Sequence, residues 1–167
     1  MKKLLSIVAI GTSLGACSMD NATPPNPAPP TPSFDALTLK RTACYGACPV
    51  YTVQILANGH VVFTGEDFVK VKGIRESNIP RANVELLAAA LHHVKFEQLR
   101  KQYMSAEDGC VNMPTDWPAF SISVTKAGRT KQVSLYQGCK GPTIPAKELS
   151  WLADTIDLMG SADLLVN

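Results

Sequence analysis

Nowhere in this 167-residue chain do the roughly 20 consecutive apolar residues of a transmembrane helix run together, and the apolar run near its start, Leu4 to Ile10, is much too short to cross a bilayer. A surplus of one charge is lacking too: once Lys2 and Lys3 are set aside, fourteen basic residues face fourteen acidic ones. No basic stripe therefore argues for nucleic acid as a partner. The chain also has no Gly-rich phosphate loop, and no Ser-His-Asp or paired-carboxylate set can be assembled on any spacing argument. That leaves no catalytic residue to name, so the expectation is a protein that is not an enzyme and has no cofactor. Histidine is scarce: only His60, His92 and His93 occur, and adjacent histidines on a helix cannot point the same way, which is weak support for a metal site.

What is there begins with a leader. Lys2 and Lys3, the apolar run and the small residues Gly11 to Ala16 have the three-part layout of a secretory signal over residues 1–16. Leu14-Gly15-Ala16-Cys17 resembles the lipobox of bacterial lipoproteins. The resemblance implies that Cys17 carries a diacylglyceryl group, becomes the mature N-terminus and anchors the protein to a lipid bilayer without crossing it. Residue 18 is Ser and not the Asp that often retains lipoproteins at an inner membrane, so in a Gram-negative host the resemblance points to the outer membrane, facing the periplasm. Residues 17–37 read as the lipidated Cys and a linker. Six prolines between Pro24 and Pro32 favour extended polyproline II and leave too little apolar surface to fold.

Residues 38–162 read as one globular domain. Two β-rich runs, Val50 to Leu56 and His60 to Thr64, flank Asn58-Gly59, the strongest short hairpin signal. Phe68 to Lys72 alternates up to Gly73 and suggests a third strand. Ser77 and Asn78 are cap candidates before Ile79-Pro80, and Val84, Leu87, Leu91 and Val94 make one apolar stripe of a helix over about 80–93. Phe96, Leu99 and Tyr103 continue that period as a short second helix or turn. Then Phe120, Ile122 and Val124 alternate with polar residues, as do Val133 and Leu135. A turn at Ala127-Gly128 sets Phe120 opposite Leu135 and Ile122 opposite Val133, with the apolar side chains sharing one face. Thr143-Ile144-Pro145 opens a last helix with the stripe Leu149, Leu152, Ile156 and Met159, ending at Gly160. The expected fold is α+β: a two-layer antiparallel sheet built from two hairpins with helices on one face, its order allowing an internal ββα duplication.

Four cysteines remain. Cys44-Tyr45-Gly46-Ala47-Cys48-Pro49 supports three readings. Gly46 lets the chain turn and bring the two thiols together as a structural disulfide, as an oxidising compartment favours. The same Cys-x-x-x-Cys-Pro spacing also resembles the copper-delivering Sco proteins of thioredoxin fold, which would make Cys44 and Cys48 metal-binding or redox-active. Here, however, the motif precedes a strand, whereas in those proteins it opens a helix. Crossed pairing with Cys110 or Cys139 is the third reading. The hairpin register speaks against it, since it sets Cys139 opposite residue 116 and leaves Cys110 a short loop away; Cys110–Cys139 then closes the base of the second hairpin.

Arg41 to Tyr51, Asn58-Gly59-His60-Val61, Gly65, Gly73, Phe96 to Tyr103, Asp116, Pro118 and Lys131 resemble an uncharacterised bacterial family of secreted proteins and lipoproteins, domain of unknown function 6438, across nearly all of Thr38 to Gly160. Cys110 and Cys139 are extras that many members of that family lack, which agrees with their pairing to each other. The resemblance implies a module and no activity. Asp116, in Pro114-Thr-Asp-Trp-Pro118, and Tyr45 are the candidate ligand-site residues, although an Asp before a strand more often binds its own backbone as an Asx turn. The functional expectation is a non-catalytic envelope module that binds a protein, peptidoglycan or small ligand on its open sheet face or at the Cys loops. The alternative is a periplasmic thiol-redox or copper protein using Cys44 and Cys48.

Overall fold

A computed structural model describes residues 33–166. The leader, Cys17 and the Pro-rich stretch up to Pro32 lie outside the described residues. Seven strands, β1 Ala36–Arg41, β2 Val50–Leu56, β3 His60–Asp67, β4 Gly73–Asn78, β5 Gln102–Tyr103, β6 Ala119–Lys126 and β7 Arg129–Tyr136, form one sheet. Their order is β4-β3-β2-β1-β6-β7-β5. With the helices α1 Arg81–His93, α2 Ala146–Met159 and α3 Asp163–Val166 this is an α+β fold.

The local signals act as expected where they are strong. At Asn58-Gly59 the glycine takes φ +88°, and a Cβ there would stand 2.6 Å from the Ile79 carbonyl oxygen, so only glycine both turns the hairpin and admits the loop leading into α1. Ala127 and Gly128 both have positive φ, as a tight hairpin turn of the right twist requires. The register that follows sets Phe120 opposite Leu135 and Ile122 opposite Val133. Because strand side chains alternate, Leu37, Leu39, Val53, Ile55, Phe63, Phe120, Ile122, Val133 and Leu135 all fall on one side, where they are buried. They join Val84 and Leu87 of α1 and Leu149, Leu152 and Ile156 of α2 in one core. Each such side chain contributes about 1.5 to 3 kcal/mol relative to staying exposed. The other side of the strands carries Thr38, Thr52, Thr64, Ser121, Ser123 and Ser134, a run of short hydroxyls that pair across the ladders.

Several expectations need correction. The folded chain starts ahead of Thr38: Phe34 is fully buried and β1 pairs antiparallel with β2 on one side and β6 on the other, so Leu39 stands between Val53 and Ile122. At the other end α3 continues past residue 162. Phe68 to Lys72 is a bend, not a strand, with Phe68 at φ +49°; the edge strand is Gly73–Asn78, exposed throughout. Ser77 and Asn78 stay in that strand, and α1 begins behind Pro80 with no side-chain cap. The short helix or turn expected after α1 is a 3-10 turn at Phe96–Gln98, but Tyr103 does not continue it: it lies in β5, which pairs parallel with β7. β1 lies between the two hairpins, and β4 and β5 form the two edges of the sheet.

Candidate functional site

Arg41 and Tyr51 close the β1–β2 ladder as direct partners, and the chain between them forms a loop at that end of the sheet. Within the loop Cys44 and Cys48 are disulfide-bonded, with Cα atoms 5.7 Å apart, and Gly46 at φ +147° makes the turn. Cys110 and Cys139 are also bonded to each other, and both are buried. The ladder of β6 and β7 ends at Ala119 and Tyr136, so Cys139 does not stand opposite Asp116. Instead the Tyr136 hydroxyl gathers the loop before β6, donating to the Pro114 carbonyl at 2.6 Å and accepting the Trp117 N–H at 3.2 Å.

The two disulfide-bearing loops are joined by hydrogen bonds. Thr42 donates from its N–H to the Ala119 carbonyl at 3.0 Å, and its hydroxyl accepts the Ala119 N–H at 3.1 Å. The Tyr45 N–H donates to the Asp116 carbonyl at 3.3 Å. Asp116 is therefore not the expected Asx turn: its backbone is left-handed at φ +72°, and among the described residues its carboxylate accepts from the neighbouring Thr115 hydroxyl. Both proposed ligand-site residues thus lie side by side. Tyr45 is 89 % exposed, and Trp117, next in sequence to Asp116, is exposed as well.

Behind these loops lies a cleft of about 400 Å³, walled by Pro49, Tyr51, Pro118, Leu158 and Val166, with Arg41 and three aspartates among its lining residues. The Arg41 side chain projects to the core side of the sheet, 5.7 Å over the Phe120 ring, and forks onto α2. Its Nε and Nη2 donate to Asp157 Oδ2 at 3.0 and 2.7 Å, and Nη2 also reaches Asp154 Oδ1 at 2.8 Å. Asp157 is only 8 % exposed; its other oxygen, Oδ1, is sealed from solvent and makes no hydrogen bond of good geometry, and the Tyr51 phenol is the donor beside the carboxylate. Asp154 stands at the open side, its side chain 74 % exposed. Asp163, third of the aspartates, makes no ion pair among the described residues.

Burial pushes the Asp157 carboxyl above its ordinary value, against the pull of Arg41. Burial works against the Arg41 charge, but the Asp157 field and its hydrogen bonds more than offset this, and the guanidinium holds its proton more firmly than usual. Burial, reinforced by the Asp157 charge, raises the Tyr51 phenol well above its normal range, so it stays a neutral donor. The group is an ion pair fixed between sheet end and α2, with surplus negative charge toward the cleft.

Neither Arg41, Asp154 nor Asp157 was singled out by sequence reasoning. Asp157 does carry a signal: it falls eight residues after Leu149 and one after Ile156, on the apolar stripe of α2, where a charge must have a partner. The histidines do not converge on the cysteines. His93 packs edge-on to Trp151 at 5.4 Å, and His60 approaches Glu76 at 3.5 Å. Among the described residues no three His, Cys, Asp or Glu side chains come together as a metal-ligand group.

The fold and the cleft define an α+β module braced by two disulfides, with an aspartate-lined recess where its central strand ends. The chain belongs to the family described as Domain of unknown function (DUF6438), whose family model matches residues 35–160. A comparison with curated proteins finds no match.

Proposed function

We propose that this protein is a lipoprotein held on a membrane through acylated Cys17, with the outer membrane facing the periplasm as its site in a Gram-negative host, and that its domain is a non-catalytic envelope module. Residues 1–16 are then its signal peptide and the Pro-rich stretch its stalk. The cleft at the Arg41 end of the sheet is where the module takes its ligand. What carries this reading is a recess lined by Arg41, Asp154, Asp157 and Asp163 and bounded by Cys48 and Pro49 of one braced loop, on which Tyr45 is exposed. Rigid loops bearing an exposed aromatic, set over a concave apolar wall with a few polar groups, are the usual makings of a recognition site. The two-layer arrangement, helices on one face and a hydroxyl-lined face left open, is the matching view of the scaffold.

Two experiments test the proposal. A photoactivatable phenylalanine analogue at position 45 should crosslink in intact cells to a discrete species, and Leu158→Glu in the cleft wall should abolish that product; absence of any product above background refutes a ligand at the cleft. For the anchor, Cys17→Ser should end labelling by palmitate analogues, and normal labelling of the variant refutes it. A thiol-redox or copper role is the competing reading, favoured by one observation: the half-buried Cys44–Cys48 bond lies at the rim of the cleft, with Cys48 in its lining. Thiol titration of native protein with and without reductant and copper separates the two. An inert pair fits the binding module, whereas free, low-pKa thiols or copper uptake would make the redox reading the leading one.

A further inference from the structure

We infer that the loop end of the sheet, beyond the cleft itself, is a docking surface for another envelope protein, one that closes an apolar patch with a basic rim over Tyr45, Val111, Met113 and Trp117. The strand register puts these side chains at one end of the molecule. β1 leaves the sheet at Arg41, beside Tyr51 and Phe120, β7 leaves it at Tyr136 beside Ala119, and β5 runs parallel to β7. The loops that follow β1, β5 and β7 therefore open together. Tyr45, Val111 and Trp117 are each more than half exposed, Met113 is exposed as well, and Phe68, on the bend after β3, adds a fifth at the same end. At the opposite end the turns Asn58-Gly59 and Ala127-Gly128 carry no exposed large apolar side chain. Single exposed apolar residues are ordinary, but a set gathered at one end marks an interaction surface.

These side chains are held out by a braced backbone. Cys44–Cys48 closes the loop that carries Tyr45, and Cys110–Cys139 fixes the residue before Val111. The Val111 N–H donates to the Lys140 carbonyl at 2.7 Å, the Lys140 N–H donates to the Asn112 carbonyl at 3.0 Å, and the Tyr45 N–H to the Asp116 carbonyl. Little backbone entropy is then lost when a partner covers them. Tyr, Trp and Met are residue types that protein interfaces favour, and a few covered Trp and Tyr side chains commonly dominate the binding energy. Charge selects a basic rim on the partner and argues against a bilayer: no Lys or Arg occurs in residues 42–49 or 104–118, whereas Glu107 and Asp116 are exposed there. Anionic headgroups attract surfaces that set basic residues beside their apolar ones, which this end does not. The chain enters β1 at the opposite end, where the Asp35 N–H donates to the Thr125 carbonyl, so an anchor at Cys17 leaves the loop end free to face away from its own bilayer.

The test uses the full chain in intact cells of its host, with a photoactivatable phenylalanine analogue at position 111 or 117 and, as controls, at the exposed positions 126 and 129 of the opposite turn. Both loop positions should yield the same discrete, protease-sensitive product, and the control positions should yield none. Tyr45→Ser should lower the yield from position 111 by about tenfold, as the loss of an interface anchor does, while leaving the urea unfolding midpoint where it was, because the side chain is exposed. No product from 111 and 117, the same product from the control positions, or a product at twice the mass of the chain overturns the proposal, the last in favour of a second copy. A second arm mixes the Cys17→Ser chain with vesicles of phosphatidylethanolamine and phosphatidylglycerol; it should stay unbound, and flotation that Trp117→Ser abolishes assigns the surface to lipid and overturns the proposal as well. Products from 111 and 117 that persist in Leu158→Glu support it even though the cleft reading then falls, since nothing in it needs a ligand inside the cleft.

Discussion

Replacing Arg41 by Gln removes one member of a buried pair and leaves the other in place. Its side chain is 18 % exposed and that of Asp157 11 %, so water screens the charge only weakly. Breaking such a pair from one side costs about 3 to 5 kcal/mol, because the remaining charge stays desolvated and uncompensated. The arm to exposed Asp154 contributes at most about 1 kcal/mol of stability. Arg41→Gln should therefore lower stability in urea unfolding at pH 7 by about 3 to 4 kcal/mol, and Asp154→Asn by less than about 1. The deficit has a pH signature. Asp157 in the folded state holds its proton above the ordinary carboxylate value, so through the window between the two values the native state binds more protons and stability falls as pH rises. Arg41 pulls that value down; without it the window widens upward. The Arg41→Gln deficit should thus be largest near neutrality and shrink on acidification toward the ordinary carboxylate range, and adding Asp157→Asn should recover part of it at pH 7. A variant within about 1 kcal/mol of the parent at pH 7, or a deficit that does not change between about pH 4 and 7, would refute the reasoning.

Cys110 and Cys139 lie 29 residues apart and Cys44 and Cys48 only 4, so loop-closure entropy gives about 3.6 kcal/mol for the first bond and about 2 for the second. Paired Cys→Ser variants compared by denaturant unfolding should show that order, and the reverse order would mean that the short loop has a structural role beyond its closure. Gly65→Ala should destabilise by about 1 to 3 kcal/mol, since a Cβ there collides with the Val71 carbonyl oxygen and crowds Phe63 and Val69; an unaffected melting temperature contradicts this close approach. Phe120→Ala should cost about 3 to 5 kcal/mol and its neighbour Ser121→Ala within about 0.5, and a similar loss at both would place the strand register wrong by one.

What the chain announces in advance is what it determines locally. Asn58-Gly59 and Ala127-Gly128 close hairpins between runs of period two, and the stripes behind Pro80 and Pro145 specify helices without help from the rest of the fold. β1 is silent for the opposite reason. Its Leu37 and Leu39 form too short an alternation to stand out beside the prolines, and its second partner, β6, is reached only through tertiary structure. β4 carries Gly-Ile-Arg-Glu-Ser-Asn, polar on both faces because an exposed edge needs no apolar side, and β5 is two residues long. The disulfides followed from spacing and register, although the ladder stops short of Cys139. The cleft did not, because Arg41 and Asp157 are far apart in sequence and meet only when α2 crosses the end of the sheet.

The position of β1 also sets an order of assembly. Its ladder with β2, and those of β2 with β3 and β3 with β4, close through neighbouring segments, whereas Leu39 meets Ile122 only after most of the domain has been made. Closing the longer loop costs more chain entropy and comes later. A newly made chain therefore holds a four-stranded half-sheet whose outer strand is the future centre, with one row of backbone groups bare beside Leu37 and Leu39 until β6 docks. Such an edge invites pairing with another chain. The strand best shielded in the finished molecule is thus the one most open to aggregation, or to a chaperone, while it waits.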